Sequence, residues 1–185
     1  MAMNALPGRS RLAYRRGYTL PELMAALGMV AIMAVLALAG YRRYLDTVKS
    51  AEGKDLVTTI SAGQTGYFES TQGYLSCGTN LTDYYPSAPN RQKRTLRAPA
   101  NPQAPCYDLL GVDSQAPSYF SLVTVAGLPS DSVPSLPTTG SFTPAPGRPW
   151  FVAMAVSDID GDSNLGYFST TSFSPGDVAT LNEGE

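Results

Sequence analysis

The sequence predicts an α+β protein in which one long N-terminal α-helix, apolar in its first half and amphipathic in its second, packs on a small antiparallel β-sheet. Three observations carry this expectation. Residues 23–40 run eighteen positions without a charge, about the length that crosses a bilayer as a helix. Apolar or small residues then recur at Tyr41, Tyr44, Leu45, Val48, Ala51, Leu56, Ile60 and Tyr67, a stripe close to helical period that continues the apolar run. Three late segments, 119–126, 150–157 and 165–172, are rich in β-branched and aromatic residues and are bounded by glycine, proline or aspartate, which is the signature of short strands.

The N-terminal end is the most informative part of the chain. Arg9, Arg11, Arg15 and Arg16 precede the apolar run without any acid, and Arg42 and Arg43 close it. The positive-inside bias therefore points the leader to the cytoplasm and the bulk of the chain outward. The junction reads Gly17-Tyr18-Thr19-Leu20-Pro21-Glu22-Leu23, with one carboxylate just inside the apolar segment. A secretory signal peptide is cut after its apolar region. Here the Gly-Tyr step lies before that region, so a cut there leaves the helix on the mature chain. Pro21 suits a first helical turn, whose amides have no intrahelical acceptor. A carboxylate at the membrane centre costs roughly 2.5 to 3.5 kcal/mol, so Glu22 calls for a partner or a function. Cutting after Gly17 creates one, an ammonium on Tyr18 one helical turn away, within the subunit or between subunits. A plain membrane anchor whose Glu22 snorkels to the interface is the alternative.

Gly17, Tyr18, Thr19, Leu20, Glu22 and Leu23 together resemble the class III leader and N-terminal segment of type IV pilins and of the related pseudopilins of type II secretion. Tyr18 stands where that family usually has phenylalanine. The resemblance implies a pilin fold and cleavage after Gly17 by prepilin peptidase, with methylation of the new Tyr18 amine. It further implies pairing of Glu22 with the N-terminus of an adjacent subunit, extraction from the inner membrane by ATP-driven assembly machinery, and self-association into a helical filament. Its two destinations are a surface pilus and the periplasmic pseudopilus of protein secretion.

The expected organisation is a leader at 1–17, a membrane or filament-core helix at 18–41, an amphipathic stem at 42–70, and an extracytoplasmic β domain at 71–185. Gly28, Gly40, Gly53, Gly63 and Gly66 each cost helix propensity of about 1 kcal/mol relative to alanine and mark possible bends. The leader holds 4 of the 13 basic residues and none of the 15 acids, leaving 9 against 15 and a formal charge of −6. Such a chain is not a general nucleic-acid binder. Residues 71–185 suffice for one modest domain. Cys77 and Cys106 fit an oxidising compartment, where a bridge between them contributes on the order of 3 to 4 kcal/mol. Free thiols and half of a metal site are the alternatives, and the absence of histidine from the sequence speaks against zinc.

Residues 71–117 are rich in proline, asparagine and tyrosine and read as an irregular connection pinned by that disulfide. Arg91, Lys93, Arg94 and Arg97 within it form the densest basic cluster, a solvated loop by default and a polyanion contact by the sharper reading. Residues 128–149 are dense in proline, serine and threonine and are expected to be a surface loop outside any packed core. Between the last two strands, Asp158, Asp160, Asp162 and Asn164 offer hard oxygen ligands suited to calcium. The same stretch is equally well read as a hairpin turn built on Asp160-Gly161. No nucleophile elbow, phosphate loop or dinucleotide fingerprint appears. The expectation is a structural subunit that needs no cofactor, and a membrane-anchored extracytoplasmic enzyme is the remote alternative.

Overall fold

The computed structural model describes residues 17–112, 117–138, 147–159 and 161–184. The chain divides after Arg42 into two compact units, taken here in turn. Helix α1, Leu20–Thr71, begins in the first and supplies the stem of the second.

In the first unit, the Thr19 carbonyl accepts the Leu23 N–H at 3.1 Å and opens the helix. Residues Leu20–Tyr41 are long and apolar enough to cross a membrane, and none of that stretch is buried. At 1.5 Å per residue its 22 residues reach about 33 Å, a little more than a bilayer's hydrocarbon core.

The second unit is α+β. Strands β3 (Ser121–Gly127), β4 (Trp150–Ser157), β5 (Gly166–Thr171) and β6 (Ala179–Leu181) form an antiparallel sheet in that order. Strand β4 is central and every one of its eight residues is buried, as a strand covered on both faces requires. Because successive side chains alternate faces, Phe151, Ala153 and Ala155 turn to the stem. They meet Val57 and Ile60 of α1, Leu122 of β3 and Phe168 of β5. Trp150, Val152, Met154 and Val156 turn the other way and join Val123 and Val125.

The stem approaches its neighbours closely, and two of its glycines explain how. A β-carbon at Gly53 would stand 2.8 Å from the rings of Phe120 and Phe168. One at Gly63 would stand 2.8 Å from Leu110 Cα and nearer still to its carbonyl oxygen. Both therefore serve close packing, in a helix that runs unbroken through them.

The outer sheet face corrects the expectation for 128–149. Leu136 is 2% exposed, and Val133 packs beside it against Trp150 and its neighbours. The Trp150 indole N–H donates to the Asp131 carbonyl at 3.2 Å. A few well-spaced apolar side chains thus let a proline-rich segment cover a sheet, where composition alone suggested a solvated loop. Leu81 and Tyr84 complete the cover.

The 71–117 connection contains two small elements. Strand β1 (Arg94–Thr95) pairs with β2 (Pro117–Ser118), and α2 (Ala104–Leu109) carries Pro105 in its first turn. The same stretch blunts the edge of β3: Tyr85 and Leu122 exchange backbone hydrogen bonds of 2.8 and 2.7 Å, and the Cys77 and Gly78 amides donate to the Thr124 carbonyl. Covering an edge in this way removes a template for unwanted pairing.

Candidate functional site

Each residue of the Gly17–Glu22 junction has a distinct place. Gly17 and Tyr18 precede the helix, Tyr18 is 87% exposed, and nothing crowds Gly17. Thr19 is the cap. Glu22, in the first turn, reaches back so that its Oε2 accepts the Thr19 backbone N–H at 2.8 Å and the Thr19 hydroxyl at 2.7 Å. This is the reciprocal half of a capping box, in which a third-position glutamate satisfies an amide that the helix leaves orphaned. The spacing Thr19-x-x-Glu22 is the sequence signal of that motif.

Beyond the cap, Leu23, Met24, Leu27, Val30, Ile32, Met33, Val35, Leu36 and Leu38 are all more than half exposed. An apolar surface of this extent marks a membrane or protein contact. Its full circumference is apolar, so it suits an environment that surrounds the helix on every side.

Cys77 and Cys106 are bonded, with Cα atoms 5.5 Å apart. The bridge ties the segment along the β3 edge to α2, next to the stacked rings of Tyr85 and Tyr107, 4.3 Å apart. Burial pushes the Tyr107 phenol well above its ordinary value. A second anchor of the same segment is Gln64, fully buried on the stem. Its Nε2 donates to the Leu75 carbonyl at 2.5 Å and to Thr124 Oγ1 at 3.3 Å, and its Oε1 accepts the Leu75 N–H at 2.8 Å. A polar residue interrupting the apolar stripe between Ile60 and Tyr67 was the available signal for it.

The side chains of the basic run go to different neighbours. Arg91 Cδ lies 3.5 Å from where a β-carbon on Gly161 would stand, so its stem runs beside the acidic loop. Lys93 Nζ sits 4.8 Å from the centre of the Tyr119 ring, which Lys49 of α1 approaches at 6.0 Å. Arg94 donates from Nη1 to Ser87 Oγ, while its Nη2 is buried without a hydrogen-bond partner. That burial lowers the guanidinium's pKa. Arg97 is exposed.

In the acidic loop, Asp158 is 9% exposed and its Oδ1 accepts the Gly161 N–H at 2.9 Å. Asp162 Oδ1 accepts the Asn164 N–H at 2.7 Å. Gly161 at φ 81° and Ser163 at φ 70° are left-handed, the backbone that such a turn demands. Asp160 lies outside the described residues. Among the described residues no group of three acidic, histidine or cysteine side chains is gathered to hold a metal.

No family model, curated protein or solved structure matches the chain.

Proposed function

We propose that this chain is a structural subunit of a type IV pilus-like filament, with a pilin fold, matured by prepilin peptidase and assembled through its N-terminal helix. The observation that carries the reading is the exposed apolar helix Leu20–Tyr41, which opens on Gly17-Tyr18 and bears a single carboxylate, Glu22, in its first turn. An apolar cylinder of that kind needs cover. The inner membrane supplies it before assembly, and the helices of neighbouring copies supply it afterwards. Both surroundings are apolar, so one surface serves in turn for storage and for polymerisation.

Removal of residues 1–17 places a cation beside Glu22. An ammonium offers three donors in one small group, and in an apolar environment a carboxylate without a counter-charge is costly. In this reading Glu22 leaves its Thr19 cap to accept the Tyr18 amine of an adjacent subunit, which sets the axial step. The subunit spans the inner membrane once with its N-terminus in the cytoplasm, then passes to an extracellular fibre. The disulfide-bonded second unit becomes the exposed part.

Intact mass and N-terminal sequencing of the mature protein test the reading directly. A chain beginning at Tyr18 with a methylated amine is expected, and one that retains residues 1–17 defeats the proposal. Glu22→Ala should be cleaved and inserted normally yet fail to enter filaments, so a normal fibre yield removes the assembly role. Electron microscopy of a deletion strain separates a surface pilus from a periplasmic pseudopilus.

A further inference from the structure

At the far end of the stem, where α1 stops, the second unit holds a half-open groove of about 820 Å³, within the range of small-ligand sites. Three aromatic rings line it: Phe68, Tyr74 and Phe173, each partly exposed. Phe68 and Tyr74 are stacked with centroids 4.8 Å apart, and Tyr74 meets Phe151 edge-on at 4.8 Å. Arg148 supplies the only charge among the described residues that line it, and it is close enough to Tyr74 to draw the phenol's pKa down against the larger upward effect of burial. Gln72 and Ser172 add an amide and a hydroxyl.

Gln72 is an independent oddity. It closes the helix with φ 60°, its N–H donating to the Phe68 carbonyl at 2.8 Å. Helices usually give that left-handed position to glycine or asparagine. A glutamine there is strained in its backbone, and its side-chain amide, which donates to the Phe68 carbonyl at 3.5 Å, lies at the groove's rim. Strained residues of this sort cluster at ligand sites.

The chemistry on offer is exposed aromatic surface, one cation beside it, and short-range donors and acceptors around it. A purely apolar ligand would leave the guanidinium unused. An inorganic anion would leave the rings unused. A sugar ring presents C–H groups on one face and hydroxyls around its rim, and a carboxylate on that ring meets the guanidinium fork in bidentate fashion. We propose that this groove binds a hexuronate unit of an acidic saccharide. The inference is independent of filament assembly, because none of its residues lies in the Leu20–Tyr41 helix.

The test uses the full-length chain in detergent micelles with trigalacturonic acid as probe, maltotriose as the neutral counterpart, and titration calorimetry as readout. Trigalacturonate should bind and maltotriose should bind at least tenfold more weakly. Arg148→Gln should weaken trigalacturonate at least tenfold, Arg148→Lys less, and Lys54→Gln, a cation removed elsewhere, not at all. Unchanged melting of Arg148→Gln, whose side chain is exposed, shows that the fold is intact. The proposal is overturned if the wild-type chain does not bind, if maltotriose binds equally well, or if Arg148→Gln and Lys54→Gln weaken binding alike.

Discussion

The same substitution at two stem glycines three residues apart should change stability in opposite directions. Gly→Ala in a helix interior gains about 1 kcal/mol of intrinsic propensity. At Gly66 a β-carbon meets nothing within 4 Å, so that gain should appear almost undiminished. At Gly63 the new methyl would sit 2.8 Å from Leu110 Cα and carbonyl carbon, with the carbonyl oxygen closer still. These are backbone atoms at the end of α2 and cannot rotate aside, so the helix and the Leu110 segment must separate by a large part of an ångström. Overpacking of that kind costs about 1 to 3 kcal/mol or more. Backbone contact places Gly63 at the upper end, and after the propensity gain it should lose about 2 kcal/mol net. The two variants should therefore differ by about 3 kcal/mol, which for a unit of this size is roughly 10 °C in melting temperature. Denaturant or thermal unfolding followed by the fluorescence of Trp150, the single tryptophan and only 2% exposed, measures both. Equal stability of Gly63→Ala and Gly66→Ala would refute the close approach between α1 and Leu110.

Cys77→Ser should destabilise the second unit by about 3 to 4 kcal/mol, the loop-closure value for cysteines 29 residues apart, and reducing agent should erase the difference from wild type. Asp83 accepts the Thr79 and Asn80 amides and the Thr79 hydroxyl, which hold its pKa below the usual carboxylate value. Its contribution is thus complete above the unfolded carboxylate pKa of about 3.9 and is lost as pH falls through the lower folded value. Asp83→Asn should flatten that part of an acid titration of stability, and an unchanged profile would contradict the assignment. In the acidic loop, Asp158→Ala should lose about 1 kcal/mol through the unmade bond to Gly161, while Asp158→Asn keeps the acceptor. The turn reading expects the same melting temperature in calcium and in chelator, and a rise in calcium would favour the ion site instead.

The helix and the three long strands were legible because each rests on a local pattern. Eighteen uncharged residues, a helical stripe and β-branched runs between turn residues all act over a few turns or one strand. The stem helix was placed to within a residue of its end at Thr71. Strand β6 was missed because three residues joined to β5 carry no period of their own. The cover of the outer sheet face was missed for a different reason: Val133 and Leu136 are ordinary in a proline-rich stretch until Trp150, Val152 and Met154 are known to face them. Likewise, Arg91 and Lys93 are two residues apart yet go to different neighbours, Gly161 and Tyr119. Only long-range pairing separates them.

The Thr19 cap also limits what can displace it. Glu22 holds two hydrogen bonds from one residue of its own chain, at almost no cost in mobility. A rival that arrives with fewer than two donors leaves the carboxylate worse solvated than before, and a neutral rival with two merely breaks even. Only a charged group with several donors makes the exchange downhill. The capped glutamate is in this sense a latch with a selective key: a carbonyl, which donates nothing, cannot replace these two bonds. On the reading proposed above, a primary or singly methylated amine has the N–H donors to open it, and a quaternary amine, with none, does not.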